Sequence, residues 1–292
     1  MISIIICSIK PHLAEQLKEN CTKNIGCDHE VIIFDNRESG YGICKVYNQC
    51  AEKAKGEYLC FIHEDTLIST AGWGDTITRK LDEPTCGVIG FAGSQIKSRS
   101  LSSWGQHKDY DVYHITQSNP SSGERTVRCS NHSQDFTPVI SLDGVFLMMR
   151  QEVWNQCRFD EQYLQGFHCY DMDIALQVAQ KYTNYVCNCV DLEHFSYGCF
   201  NHSWLLETIR IHDKWRDQLP IYVGNISQKD IEKNEQNLNF IFIKHILKSQ
   251  LSRNERNAWL KRYFAEPPFT PLKLRMVTKY IKYSIQRFFR KK

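Results

Sequence analysis

Three consecutive polar residues end one of the most apolar runs of the chain. In "YLCFIHEDTLIS", the run Tyr58 to Ile62 stops at His63, Glu64 and Asp65. Carboxylate oxygens are the ligands that hard divalent cations prefer, and open α/β sheets bind ligands outside the carboxyl ends of their strands. The pattern therefore predicts a metal or ligand site at a strand end. The alternative is a solvated loop whose acids cap the following helix.

Three other positions carry groups with the same kind of chemistry. Asp171 and Asp173 lie in "YDMD", directly before a helical pattern, where acids also serve as N-terminal caps. His194 follows an apolar run, and a single histidine there is more often a structural hydrogen-bonding residue than a ligand. Taken singly, none of these residues decides the function.

The elements that position these residues alternate in type. Apolar runs at 2–7, 31–34 and 58–62 are separated by helical patterns, the second of them over 42–55. This β-α-β-α-β order predicts a parallel sheet with right-handed crossovers. Since the carboxyl ends of its strands meet at one edge, we expect Asp35, which ends the second run, to share a crevice with residues 63–65.

The next part of the chain is less regular. Residues 87–91 and 185–190 predict further strands, and residues 139–150 are an apolar segment interrupted by Asp143-Gly144. Residues 93–137 are rich in Ser, Gly, Asn and His, and we interpret them as a long loop region with a hairpin that serves as a binding lid.

Composition excludes several classes of protein. The 292 residues are 42% hydrophobic and 24% charged, which is ordinary for a soluble globular chain. A net charge of +3 gives no reason to expect nucleic acid as a partner. We find no secretory signal and no apolar stretch of about 20 residues. Many of the 13 cysteines lie in apolar runs, so we expect reduced thiols and a cytoplasmic location.

The C-terminal third predicts helices. Residues 207–217 and 231–251 are amphipathic, and Pro267-Pro268 breaks the chain before a third helix over 272–289. That helix spaces five apolar residues on or near one face, and eight Lys or Arg with no acid lie between 271 and 292. The apolar residues are Leu274, Val277, Ile281, Ile285 and Phe288. We expect this tail to contact an anionic membrane surface at the inner leaflet; the alternative is packing on the preceding domain.

Six stretches, in order, resemble family 2-type glycosyltransferases with the GT-A fold, in the branch described as glycosyltransferase-like. The stretches are "ISIIICS", "VIIFDN", "GYGICKVYNQCAEKAKGEYLCFIHEDT", "LDGVFLMMRQEVW", "RFDEQYLQGFHCYDMDIAL" and "LEHFSYGCFNHSW". The resemblance covers about residues 1–205. It implies an α/β fold, a Rossmann-like mixed sheet with helices on both faces, followed by a helical C-terminal extension.

The resemblance also implies a domain organisation. Residues 1–92 form the nucleotide-binding half and 93–205 the sugar and acceptor half of one catalytic domain. Residues 206–266 are a helical extension, and 267–292 are the basic amphipathic tail.

On the donor side, the resemblance assigns roles residue by residue. Asp35 matches the acid that contacts the nucleotide, and Lys45 and Asn48 lie on the helix that approaches it. His63-Glu64-Asp65 stands at the DxD motif, which makes Asp65 the metal ligand and His63 and Glu64 donor contacts. His63 replaces the first acid of that motif.

On the acceptor side, Asp143-Gly144 matches the segment that lines the sugar and acceptor region. Asp171 matches the general base of inverting members, with Asp173 nearby as the fallback, and Tyr170 replaces the acid that precedes the base in the family. His194 matches a further metal contact.

The resemblance implies metal-assisted, inverting transfer from a nucleotide-diphosphate sugar to a glycan or lipid-linked glycan, with Mn²⁺ or Mg²⁺ as cofactor. Two alternatives stay open. One is a catalytically inactive nucleotide-sugar-binding module, which the departures at His63 and Tyr170 favour. The other, a nucleotidyltransferase, is disfavoured because "CSIKPHL" after the first strand has no glycine-rich phosphate loop.

Overall fold

The computed structural model describes residues 1–107, 109–130, 134–196, 198, 200–266 and 270–290, with the backbone alone for 287–290. The predicted break at Pro267-Pro268 lies outside these residues, as do the side chains of Phe288 and of the last basic residues of the tail.

The described residues form fifteen strands and nine helices. The strands are β1 (Ile2–Ser8), β2 (His29–Asp35), β3 (Tyr58–His63), β4 (Thr66–Ile68), β5 (Cys86–Gly90), β6 (Ala92–Ser94), β7 (Ile96–Lys97), β8 (Asp111–Ser118), β9 (Arg125–Cys129), β10 (Phe136–Val139), β11 (Ser141–Leu142), β12 (Phe146–Arg150), β13 (Thr183–Cys187), β14 (Leu192–His194) and β15 (Ile221–Tyr222). The helices are α1 (Pro11–Asn24), α2 (Ile43–Ala51), α3 (Trp73–Leu81), α4 (Gln151–Gln156), α5 (Tyr170–Ala179), α6 (His202–Trp215), α7 (Gln228–Lys248), α8 (Arg253–Ala265) and α9 (Pro271–Arg290).

The main sheet has seven strands in the order β10-β13-β5-β12-β3-β1-β2. β1 runs parallel to both β2 and β3, which confirms the predicted parallel unit. Its register pairs Ser8 with Asp35 and Cys7 with His63, so the acid and the histidine lie at the same edge of the sheet. β12 is antiparallel to β3, which makes the sheet mixed.

Both faces of this sheet are covered, and this explains the continuous apolar runs. Alternate residues of β3 point to opposite sides: Phe61 belongs to one hydrophobic cluster with α2 and α5, and Ile62 to another with α1 and α3. Trp73 and Tyr47 are fully buried, one in each cluster. The structure thus confirms the mixed α/β sheet with helices on both faces.

A second sheet, in the order β11-β6-β8-β14-β4, contains much of the region predicted to be a loop. β8 and β9 form the hairpin that we expected within 93–137, but β6, β7 and β10 also lie there. The long-loop prediction was wrong because the polar composition masks the apolar positions that β8 buries, Val112 and Ile115. This sheet matters for function, since it carries His194 to the edge where β3 ends.

The C-terminal helices form a third hydrophobic cluster. It joins Trp204 of α6, Phe242 and Ile246 of α7, Leu260 of α8 and Met276 of α9. The predicted helical extension is therefore present. Within the described ranges, no helix combines the length and apolar character that crossing a bilayer requires.

Candidate functional site

His63, Asp65 and His194 converge at the edge where β1, β2 and β3 end. One possible ligand atom from each of the three lies within 4.8 Å of the others. Antiparallel pairing places His194 opposite Thr66, and the Phe195 backbone N–H donates to the Asp65 carbonyl at 2.9 Å. The second sheet therefore holds His194 against the end of β3, across 131 positions of sequence. Two imidazoles and a carboxylate make a donor set suited to a divalent transition metal.

The pKa shifts of Asp65 and His63 suit coordination. Burial acts to raise the pKa of Asp65, but the hydrogen bond and charge of His194 outweigh it and hold this pKa well below its usual range. Burial, together with His194, lowers the pKa of His63. An ionised carboxylate and a neutral imidazole are the forms that bind metals. Among the described residues, the buried Nδ1 of His194 has no hydrogen-bond partner, which leaves one ring nitrogen uncommitted.

A second carboxyl group, that of Asp171, lies in the first turn of α5. Its Oδ2 accepts a hydrogen bond from the Gly144 N–H at 2.9 Å. A Cβ at position 144 would lie 2.2 Å from the Tyr170 hydroxyl, so this close approach requires glycine. Burial, and then the charge of Asp143, raise the pKa of Asp171 to about 7. A carboxyl that titrates near neutral pH can act as a general base.

Two predicted donor residues lie at an exposed part of the same edge. Asp35 is bonded through both carboxylate oxygens to the Arg37 guanidinium at 2.5 to 3.1 Å. This hydrogen bonding lowers the pKa of Asp35 to about 2. The Lys45 ammonium lies 3.6 Å from the ring centre of Tyr41. Their nucleotide contacts stay a prediction.

Glu64 and Asn48, which were also predicted to contact the donor, make hydrogen bonds that order the fold. The Glu64 carboxylate accepts hydrogen bonds from the Ser8 hydroxyl at 2.6 Å and from the Lys10 N–H at 3.0 Å, at the start of α1. The buried Asn48 amide donates to the Phe159 carbonyl at 2.9 Å. Glu64 thus orders the β1–α1 connection and Asn48 ties α2 to the segment before α5, while Glu64 does not join the three-residue cluster.

The sequence model of the Glycosyltransferase like family matches residues 3–216. The chain belongs to this family. This assignment confirms the resemblance and, at the level of enzyme class, the prediction of a glycosyltransferase; the observed mixed sheet agrees with the predicted GT-A type of fold. A comparison with curated proteins finds no match.

Solved glycosyltransferase structures resemble the chain at low identity. GalNAc-T7 with UDP, GalNAc and Mn²⁺ is 12% identical, with 90% of this chain and 54% of that chain covered and a TM-score of 0.48. The mannosyltransferase PcManGT from Pyrobaculum calidifontis, with GDP-Man and Mn²⁺, is 14% identical, with 100% of this chain and 88% of that chain covered and a TM-score of 0.48. TarS 1–349 from S. aureus, with UDP-GlcNAc, is 13% identical, with 97% of this chain and 79% of that chain covered and a TM-score of 0.47. The chain thus spans about half the length of GalNAc-T7.

The two positions at which this glycosyltransferase departs from the motifs of the resemblance are bonded to each other. His63 Nε2 lies 2.8 Å from the Tyr170 hydroxyl, which donates in turn to the Gly144 carbonyl at 2.9 Å. Because the hydroxyl proton goes to Gly144, we assign the Nε2 proton to His63, which leaves its Nδ1 with the free lone pair. Tyr170 thus links the cluster of His63, Asp65 and His194 to Gly144, whose N–H bonds Asp171.

We expect Tyr170→Phe to weaken Mn²⁺ binding in the presence of a nucleoside diphosphate by about 10-fold or more, because outer-shell partners orient metal-binding histidines. Isothermal titration measures the affinity. Tyr263→Phe, which removes the hydroxyl of a buried tyrosine in α8, is the control and should bind as the wild type does. Equal affinity in both variants would contradict a role for the Tyr170 hydroxyl.

The placement of Asp173 argues against the acceptor role predicted for it. Its side chain is fully buried and accepts hydrogen bonds from Lys214 at 2.9 Å, from the Trp215 indole at 2.8 Å and from Gln177 at 2.8 Å. The carboxylate therefore ties α5 to α6 and has no open side for an acceptor. The "YDMD" pattern did not distinguish the two acids because both lie in the first turn, and only the position of α6 separates them.

We expect Asp173→Asn to lower the free energy of unfolding by about 2 kcal/mol. Breaking a buried ion pair costs roughly 3–5 kcal/mol. The loss is smaller here because Lys214 still forms its ion pair with Asp160 at 2.6 Å. Denaturant titration measures this loss. Turnover by the folded protein should stay near the wild-type rate. A stable variant without turnover would instead return Asp173 to consideration as the base.

Sequence reasoning missed two residues beside the cluster. The Ser196 hydroxyl lies 3.1 Å from His194 Nε2, and the exposed ring of Phe167 lies 5.7 Å from that of His63. The position of Ser196, two residues after a strand-end histidine, was the one available signal. Phe167 had none, since only the course of the segment before α5 brings it to His63.

Proposed function

We propose that the chain transfers a sugar from a nucleotide-diphosphate sugar to an acceptor hydroxyl with the help of a divalent metal. The observation that carries the proposal is the convergence of His63, Asp65 and His194 at the edge of the sheet. Asp171, with a pKa near 7, supplies a base on the neighbouring α5. An inactive binding module has no need of such a base.

His63, Asp65 and His194 are the residues that would hold the metal. Two nitrogen donors favour Mn²⁺ over Mg²⁺, which prefers an all-oxygen shell. When bound, the ion compensates the negative charge that builds up on the leaving diphosphate. Tyr170 fixes the orientation of His63, and Ser196 that of His194, through the hydrogen bonds described above.

Asp171 acts on the acceptor. The acceptor oxygen forms a bond to the anomeric carbon, and the bond from that carbon to the diphosphate oxygen breaks. The hydroxyl proton passes to the Asp171 carboxylate. Attack opposite the leaving group inverts the configuration of the sugar, and the Gly144 N–H keeps the carboxylate in place for it.

The acceptor class follows from the resemblance alone, and we propose a glycan or lipid-linked glycan. UDP and GDP sugars, the donors named in the solved structures above, form the panel to test.

A thermal-shift screen of nucleoside diphosphates, with and without Mn²⁺, tests donor binding. A ligand that binds only the folded state raises the melting temperature, by an amount that grows with its concentration over Kd. We expect a shift with UDP or GDP that requires Mn²⁺ and disappears with a chelator. The absence of any shift across the whole nucleotide panel would contradict the proposal.

A further inference from the structure

Helix α9 has two apolar faces, and only one of them packs on the protein. Met276 is fully buried, and Leu272, Tyr280 and Tyr283 pack beside it in the third hydrophobic cluster. Through this face α9 contacts α7. This face alone packs α9 on the protein, and the other apolar side chains that the structure describes in this helix take no part in that packing.

The other face carries four aliphatic side chains in the open. Leu274 is 63% exposed, Val277 40%, and Ile281 and Ile285 52% each. Their spacing of three, four and four residues places them along one line of the helix. We call this set the exposed stripe. Scattered apolar residues on a surface need no explanation, but an aligned row of four marks an interaction surface.

The charges beside the exposed stripe are all of one sign. Lys282 and Arg275 lie on the flank of the helix next to it, and Lys279 lies farther round, towards the packed face. None of the residues from 271 to 292 is acidic. Lys273 is also basic but does not contribute to this exposed surface, because it is buried and donates to the Glu266 carbonyl. An aliphatic row with a basic border complements a surface that is both apolar and anionic.

We propose that the exposed stripe of α9 docks on the surface of an anionic phospholipid membrane, with its aliphatic side chains in the acyl boundary and the flanking bases at the headgroups. A second copy of this chain fits poorly, because two all-basic helices repel each other. Nucleic acid fits poorly as well, because a row of aliphatic side chains has no role against a phosphate backbone. The inference does not depend on the proposed transfer reaction, since it concerns binding alone.

Co-sedimentation with vesicles of phosphatidylcholine, with and without phosphatidylglycerol, tests the proposal. We expect the full-length protein to bind the anionic vesicles, and high salt to weaken this binding. Ile281→Ser with Ile285→Ser should reduce the partition coefficient at least tenfold. Lys279→Gln with Lys282→Gln should reduce it by more than tenfold, at roughly fivefold for each basic residue near the surface.

The control variant is Lys23→Gln with Lys53→Gln, which removes the same charge from exposed positions in α1 and just after α2. It should bind as the wild type does. Lys279 is half-buried and the other five substituted side chains are exposed, so unaltered circular dichroism should verify the fold of all three double variants. Binding to anionic vesicles that survives both α9 variants, or no binding by the wild type, would overturn the proposal. So would concentration-dependent self-association that Ile281→Ser with Ile285→Ser abolishes, because the occupant would then be a second copy.

Discussion

We expect Asp65→Asn to remove Mn²⁺-dependent binding of a nucleoside diphosphate while the protein stays folded. The change takes away the only carboxylate of the His63, Asp65 and His194 cluster and its negative charge. The loss of affinity should exceed the roughly 10–100-fold that the loss of outer-shell partners causes. Isothermal titration with UDP or GDP, with and without Mn²⁺, measures it.

Glu64→Gln is the matched control, because it neutralises the adjacent carboxylate. Glu64 orders the loop before α1 and does not join the cluster. We expect this variant to lose stability but to keep the metal-dependent affinity. If the two variants lost affinity equally, the metal assignment of Asp65 would fail, and the donor role predicted for Glu64 would gain support.

The second large effect is expected at Asp171. Asp171→Asn should reduce turnover by about 10²-fold or more, as for the removal of a general base. Donor affinity should stay unchanged, because the base acts on the acceptor. Steady-state kinetics with a titration of the donor separates the two quantities. A variant with near-normal turnover would show that another group takes the proton.

The pH dependence gives an independent check on Asp171. The pKa of this carboxyl is raised to about 7, so the base form is lost as the pH falls through about 7. We therefore expect kcat/KM to rise with pH across this range, and the slow reaction of Asp171→Asn to lack this limb. The groups that act electrostatically on Asp171 include Asp143, Tyr170, Cys169 and Lys97. A wild-type profile that is flat between about pH 6 and 8 would contradict the assignment.

The sequence was a good guide wherever burial on both faces of the sheet dictates composition. The runs at 2–7, 31–34 and 58–62 and the helical pattern between them predicted β1, β2, β3 and α2, and with them the edge that Asp35 and His63 share. The same logic reached Asp65, because an acid after a buried strand has no packing reason to be there. The metal role of His194 came from the resemblance, and the pairing of β14 with β4 gives the physical reason for its place.

Contacts between distant segments were not predictable in this way. The hydrogen bond between His63 and Tyr170 joins residues 107 positions apart. In the sequence, each of the two is only a position at which the acid of the family motif is missing. Likewise, nothing local distinguishes Asp171, which faces Gly144, from Asp173, which faces α6. For α9 the periodicity found one apolar face, whereas the structure has two, because the aromatic residues Tyr280 and Tyr283 pack inward with Met276.

Hydrolysis of UDP and GDP sugars in the absence of an acceptor is the measurement that tests the central claim most directly. We predict slow release of free sugar that requires Mn²⁺, stops with a chelator and is absent in Asp65→Asn. Water then takes the place of the acceptor hydroxyl, so release should also fall in Asp171→Asn. Tight Mn²⁺-dependent nucleotide binding without release from any donor of the panel would contradict this account and identify an inactive binding module.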